Sequence, residues 1–279
     1  MPIRSTDTRM SVASFQGAED FKQRRGDADV LTLPPFQTAK YIAGFANSKR
    51  CIEAAQRLRY EVFNIELDEG LAGSVVTGLD RDEFDDQMTH VVLLDQESGS
   101  VVGTYRIQTV RHGLERRGLY SALEYDLTDF SPYFDRSVET GRASLAKDHR
   151  TFPALVSLLL GIGAYMNAYG QKYVFGCCSL TTQDPDDGWR AMKTIREQGF
   201  LHDDLLLPAN PVASCGDASR EFDLEIGAAI RLPKLFRTYM RLGAKVISGP
   251  AIDRDFGTVD FLILMDGHQV QFSPLDVVK

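Results

Sequence analysis

The chain lacks the sequence marks of several common catalytic classes. No G-x-x-x-x-G-K-[ST] loop, G-x-S-x-G elbow or H-E-x-x-H pair occurs in its 279 residues, so P-loop, α/β-hydrolase and zinc-protease chemistry lose their signatures. Its four cysteines, Cys51, Cys177, Cys178 and Cys215, show no C-x-x-C spacing and no histidines at zinc-ligand intervals. Neither a disulfide framework nor a bound metal is therefore expected. Residues 1–10 carry two arginines and small polar residues but no apolar stretch of signal-peptide length, which makes a reducing, cytoplasmic setting the expectation. Excess positive charge is missing too. A formal net charge of −8 argues against nucleic acid as the main partner, because phosphate binding needs a dense basic surface. Internal repeats and low-complexity tracts are likewise absent from the sequence.

Long uncharged runs are limited to residues 151–171. Pro153, Ser157, Gly161, Gly163, Asn167 and Gly170 interrupt that run, so it reads as a helix buried against a sheet and not as a span in lipid. Residues 1–40 mix charge, glycine and Pro34-Pro35 without sustained periodicity. They are expected to form an extension of low structural content ahead of one domain covering residues 41–279. Within that domain, apolar residues at spacings of three and four predict a helix over residues 47–67, capped by Asn47 or Ser48. Residues 90–95 and 101–110 read as a hairpin, 137–145 as a strand, and 152–170 as the buried helix. A strand over 172–180 and a helix over 184–198 follow, then a helix over 233–242 and strands over 245–248 and 258–265. Strands mixed with helices in this way predict an α/β domain.

Some charged residues admit either a solvated or a functional reading. Asp80, Asp82, Glu83, Asp85 and Asp86 precede a strand, where a loop can present several carboxylates to a cationic substrate. Glu139 and Arg142 fall inside a strand, and burying such charges is costly unless they are paired or face a cleft. Three positions apart, they would lie on opposite faces of a regular strand, whereas a bulge at Gly141 would bring them together. Arg106 sits in the second hairpin strand. Cys177 and Cys178 have no histidine partner, and a buried structural role is expected for both. Arg231, Lys234, Arg237, Arg241 and Lys245 recur every three or four residues, which a helix would gather into one basic stripe on an acidic protein. These residues alone carry the reading as far as an α/β enzyme.

Four blocks, in order between Ser48 and Asp266, resemble the ornithine lipid N-acyltransferase family and its relatives, the acyl-homoserine-lactone synthases and N-acyl amino acid synthases. The first is Leu58-Arg59-Tyr60-Glu61-Val62-Phe63. The second is Glu83-Phe84-Asp85 with His90 and Gly103-Thr104-Tyr105-Arg106. Glu139-Thr140-Gly141-Arg142, Gly161-Ile162-Gly163 and Phe175-Gly176-Cys177-Cys178-Ser179-Leu180 make the third. The fourth is Leu232-Pro233, Tyr239-Met240-Arg241-Leu242-Gly243-Ala244 and Ile252-Asp253-Arg254-Asp255-Phe256-Gly257-Thr258-Val259-Asp260.

The resemblance implies a GNAT-like α/β fold, a mixed and mostly antiparallel central sheet flanked by helices. It implies transfer of a (3-hydroxy)fatty acyl group from acyl carrier protein to the α-amine of an amino acid, ornithine being the leading acceptor. No bound cofactor is implied; the phosphopantetheine thioester of acyl-ACP is a co-substrate. Catalytic roles fall on Glu139, Arg142 and Arg106, and substrate contacts on Arg59, Phe63, Asp82, Asp85 and Ser179. Acetyl-CoA enzymes of this fold place a glycine-rich turn where this chain has Lys147-Asp148-His149-Arg150-Thr151-Phe152-Pro153. Lys147 and Arg150, with Arg231, Lys234, Arg237 and Arg241, are accordingly expected to meet an acidic carrier protein. An amphiphilic product implies transient contact with the inner membrane. Two alternatives stay open: lactone synthesis from S-adenosylmethionine, for which a tryptophan after Phe63 is missing since the sole Trp is Trp189, and a module that binds carrier protein or lipid without turnover.

Overall fold

The computed structural model describes residues 10–11, 32–223 and 227–272. The extension expected over residues 1–40 falls mostly outside them. The elements are β1 (Met10–Ser11), β2 (Thr32–Gln37), β3 (Tyr41–Phe45), α1 (Lys49–Tyr60), β4 (Thr89–Asp95) and β5 (Val101–Thr109). They continue with β6 (Ser137–Leu145), α2 (Phe152–Ala168), β7 (Tyr173–Leu180), α3 (Pro185–Glu197), α4 (Lys234–Arg241), β8 (Lys245–Val246), β9 (Ala251–Asp253), β10 (Thr258–Asp266) and β11 (Gln271–Phe272). Short helical turns fill the connections, among them a wide π-type turn, Glu61–Glu66, that continues α1.

Nine strands form one sheet in the order β2-β3-β4-β5-β6-β7-β10-β8, with β9 also paired to β10. Every pairing is antiparallel except β6 with β7. That one parallel pair requires a crossover, and α2 supplies it. Thr151 caps α2 by accepting the Ala154 N–H at 3.3 Å, and Pro153 occupies the first turn, where no intrahelical donor is needed. From Ala154 to Met166 the helix is buried all round, as an apolar helix without a polar face must be. It lies so close to β4 that a Cβ on Gly161 would sit 2.8 Å from Val91 Cγ1. No helix among the described residues is long and apolar enough to cross a membrane.

Strand alternation sorts the layers. Tyr105 and Ile107 of β5 point into the core that includes Leu155, Leu158 and Leu159 of α2, whereas Arg106 and Gln108 point the other way. Arg106 there shares the Asp85 carboxylate with Arg59 of α1, so α1 and α2 cover opposite faces of the sheet. Ser48 is the cap of α1, accepting the Cys51 N–H at 3.2 Å. The sheet also begins earlier than the sequence suggests. Pro34 and Pro35 lie in β2 at its edge, where a missing backbone donor removes no interior ladder bond.

Candidate active site

The sheet parts in its middle. β6 and β7 pair only through Ser137↔Tyr173, Val138↔Val174 and Glu139↔Phe175. Beyond that point Thr140, Gly141, Arg142 and Ala143 on one strand and Gly176, Cys177, Cys178 and Ser179 on the other line a single cavity of about 530 Å³. Gly176 stands at the fork, where a Cβ would run into the Thr140 carbonyl oxygen. One wall of the cavity is apolar, built by Leu155, Leu158, Leu159 and Ile162 of α2, while Val62 and Phe63, which cluster with Phe256, line it from the α1 side. Another wall is polar, formed by Tyr120, Ser121, Glu139, Asp253 and Asp260.

A β-bulge shapes the lining between the two walls. The β5–β6 register passes from Arg106↔Gly141 to Thr104↔Ser144, so Arg142 and Ala143 together oppose Tyr105. Arg142 adopts a left-handed backbone, φ 53°, which costs a non-glycine residue on the order of 1–3 kcal/mol. Its ion pairs with Asp80 and Asp82, at 3.3 and 3.1 Å, and its packing over the Phe256 ring at 4.1 Å work against that cost.

Beneath the bulge three arginines meet three aspartates. Arg59 donates to Asp80 at 3.2 Å and to both Asp85 oxygens at 2.8 and 3.0 Å. Arg106 bonds Asp82 and Asp85, the latter at 3.1 Å. Opposite charges in equal number let the group stay buried without a net charge. Burial alone would raise the Asp85 carboxyl, but Arg59, Arg106 and His90 overcome it and hold the group far below its ordinary range. Asp82 is held down in the same way, its burial outweighed by Arg106 and Arg142. Burial, followed by repulsion from Arg59, pushes His90 down to about 4, so at neutral pH it is uncharged.

Glu139 lies alongside this network, on the cavity wall. Its Oε1 accepts the Ser121 N–H at 2.7 Å, and its Oε2 accepts Gln108 Nε2 at 2.8 Å and the Tyr120 N–H at 3.2 Å. A carboxylate offers about four lone-pair sites, which leaves one for a ligand. Glu139 also fixes the turn that carries Tyr120, whose hydroxyl donates to Asp253 at 2.5 Å.

The residues singled out in the sequence divide into three groups. Glu139, Arg142, Arg106, Phe63 and Ser179 all line the cavity. Arg59, Asp82 and Asp85 lie behind its wall, their charges engaged with one another and with Arg106 and Arg142. Of the basic residues, Arg150 and Lys234 stand at the cavity mouth beside the partly exposed Phe152 and Leu235, and Arg150 is held by both oxygens of Glu66 at 2.7 and 2.5 Å. Lys147, Arg231 and Arg241 are exposed elsewhere, and Arg237 is half-buried with its Nε on the Leu232 carbonyl.

Sequence reasoning passed over Tyr120, Ser121 and Glu124, and it gave Asp253 and Asp260 no site role although both stand in the fourth block. Asp260 did carry a signal, an acid in the middle of an apolar strand. Glu124 carried none. Glu124, Cys177 and Asp260 offer ligand-type atoms within 4.8 Å of one another. Burial, then the charges of Glu124 and Asp260, push the Cys177 thiol well above its ordinary value, and burial does the same for Cys178. Neither is a thiolate at neutral pH.

With this geometry in place, comparison with known proteins is informative. The model of the acetyltransferase (GNAT) domain family matches residues 58–160. L-ornithine N(alpha)-acyltransferase from Rhodobacter capsulatus is 30% identical over 234 residues, which are 81% of this chain and 90% of that protein. The enzyme of the same name from Agrobacterium fabrum is 29% identical over 275 residues, 89% of this chain and 92% of the relative. An N-acyl amino acid synthase of known structure from uncultured soil microbes aligns at 13% identity with a TM-score of 0.49, covering 82% of this chain and 92% of that one.

Proposed function

The chain belongs to the L-ornithine N(alpha)-acyltransferase family, and from that membership we propose that it moves a fatty acyl group from an acyl carrier protein thioester to the α-amine of ornithine. It is an acyltransferase of GNAT fold. The observation that carries the finer reading is the cavity at the parting of β6 and β7, apolar on one wall and acidic on another. An acyl chain suits the α2 side, a cationic amino acid suits the carboxylate side, and the two reactants then meet at the bulge.

The reaction is a single displacement. A neutral α-amine attacks the thioester carbonyl, the C–N bond forms, the C–S bond breaks, and the amine proton passes to the departing sulfur. We assign the free lone pair of Glu139 to an N–H of the attacking amine. A bulge leaves its extra residue out of the strand ladder, so the backbone at Arg142 and Ala143 is suited to steady the thioester oxygen. Arg106 and Arg142 order the aspartates that hold the bulge in place. Because the α-amine must shed a proton before attack, the rate should climb with pH on the alkaline side.

Arg150 and Lys234 at the mouth support a donor arm arriving from an acidic protein surface. An amphiphilic product supports a cytoplasmic enzyme with transient contact at the inner membrane. Cys177 and Cys178, both raised well above the ordinary thiol value, support transfer without an acyl-enzyme. Intact-mass spectrometry of enzyme mixed with acyl donor alone should show no covalent acyl adduct; an adduct on either cysteine would replace single displacement by a two-step route.

The experiment for the reaction itself is mass spectrometry of purified protein with 3-hydroxyacyl carrier protein, the matching acyl-CoA, and a pool of amino acids. Nα-acylornithine formed faster from the carrier protein is the expected product. Faster reaction from acyl-CoA would remove the carrier-protein donor, and no N-acyl amino acid from either would favour a binding module.

A further inference from the structure

Behind the polar wall of the cavity lies a set of acids for which direct transfer has no use. Glu124 and Asp260 are each 3% exposed, and Glu124 Oε2 and Asp260 Oδ1 accept no hydrogen bond among the described residues. Buried oxygens without donors are costly, and a native structure keeps them where something else completes them. Asp260 is among the residues that line the cavity, while its unpartnered oxygen itself exposes almost no surface. Cys177 Sγ lies 3.6 Å from Glu124 Oε1, and Asp253, also on the cavity wall, is tied to the Tyr120 hydroxyl. Arg142, the cation that acts on both Glu124 and Asp260, is already shared with Asp80 and Asp82.

We propose that Glu124 and Asp260, with Asp253 beside them, form the subsite for the non-reacting side-chain cation of the acceptor, the δ-ammonium group of ornithine. This rests on the acceptor reading above. The division of labour follows from the chemistry of the two amines. The α-amine has to become neutral before it attacks, and a carboxylate cluster would oppose that by favouring its charged form. The δ-amine does not react, so its charge is free to serve binding. Cys177 lies two residues, about 6.6 Å of strand, beyond the last β6–β7 pair at Glu139↔Phe175. An amino acid whose α-amine meets Glu139 at the fork thus directs a three-methylene side chain toward the acids.

The titration of the cluster agrees with this assignment. Burial pushes Asp260 up to about 6, with Asp253 adding to the rise and Ser179, Thr258 and Arg142 partly offsetting it. Burial, then Asp260 and Asp253, lift Glu124 well above its ordinary value, against the Cys177 contact and Arg142. Other groups packed around the cluster are Tyr120 from the preceding turn, Tyr125, whose hydroxyl donates to the Asp260 carbonyl at 2.7 Å, and Glu139, whose charge reaches Cys177. An arriving ammonium would favour loss of a proton from these acids.

The test compares ornithine with norvaline, which has the same carbon chain and no δ-amine, using one acyl donor and full-length protein. Wild type should favour ornithine in kcat/KM by about 100-fold or more. Asp260→Asn and Glu124→Gln should each cut that ratio to within about tenfold, the change residing in the KM for ornithine. Calorimetric titration of the same variants with ornithine in the absence of donor gives a readout independent of turnover, and binding should weaken in parallel. In wild type the ornithine-to-norvaline ratio should rise between pH 5 and 7.5 with a midpoint near the Asp260 value of about 6. A wild type that acylates neither amino acid overturns the acceptor reading. A wild type that acylates ornithine, with a ratio unchanged in both folded variants, overturns the subsite alone.

Discussion

Asp85→Asn should remove about 3–5 kcal/mol of folding stability, seen as a fall in the urea midpoint followed by Trp189 fluorescence at pH 7.5. Asp85 is the acceptor on which Arg59 and Arg106 converge, and its Oδ2 also takes the Asp82 N–H at 2.9 Å. Asparagine preserves the shape but leaves three buried guanidiniums facing two carboxylates. The penalty is that of an uncompensated buried charge, larger than the net worth of an ion pair. The same network sets the response of wild type to acid. Asp82 and Asp85 titrate lower in the folded state than unfolded, so the unfolded chain binds more protons. Their stabilisation is complete above the ordinary aspartate range and drains away as pH falls below it. His90, lowered to about 4, adds a loss that starts near its unfolded value of about 6.5. These three groups should therefore withdraw their stabilisation from about pH 6 downward. Asp260 and Glu124 contribute in the opposite direction, since their raised values let the folded chain bind more protons over part of that range. An Asp85→Asn variant losing under about 1 kcal/mol would show that the arginines find other partners.

Glu139→Gln should lower kcat by about 100-fold or more with ornithine. The glutamate takes three donors, Gln108 Nε2 and the backbone N–H groups of Tyr120 and Ser121. A glutamine must turn an NH₂ toward at least one of them, setting donor against donor. The Tyr120 turn then shifts, and the lone pair assigned to the attacking amine is lost with it. With Glu139 assigned to the attacking amine, its loss should fall on kcat, while the loss in Asp260→Asn should fall on KM. Retention of more than about a third of wild-type kcat by a folded Glu139→Gln protein is the result that would falsify its role, because it is far less than removal of an acid–base group ordinarily costs.

Much of the architecture was legible because apolar periodicity was strong. The uncharged run over residues 151–171 became the crossover helix α2, the strand over 137–145 became β6, and the hairpin became β4 and β5 with small changes at the ends. The conflict posed by Glu139 and Arg142, two charges three apart in one strand, called for a bulge near Gly141, and the register slips next to it. Other features gave no local signal. Pro34-Pro35 looked like a break, yet an edge strand tolerates proline. The acids at 80, 82 and 85 suggested a loop facing substrate, but their partners Arg59, Arg106 and Arg142 are 21 to 60 residues away in sequence. Glu124 ends a short 3-10 turn with no periodicity to betray its burial.

The place of β10 in the sheet also has a consequence for biosynthesis. β10 is synthesised after every other strand that lines the cavity, but it pairs with β7, Val259 standing opposite Leu180. Pairings between segments so far apart in sequence close large loops and form slowly. Until β10 arrives, Asp260 is absent and β7 has no neighbour on that side, so a nascent chain can fold the hairpin and α2 while holding no complete acceptor pocket. Reactive thioesters are then safe from premature transfer during translation, and ribosome-stalled chains ending before residue 258 should be devoid of acyl transfer to amino acids.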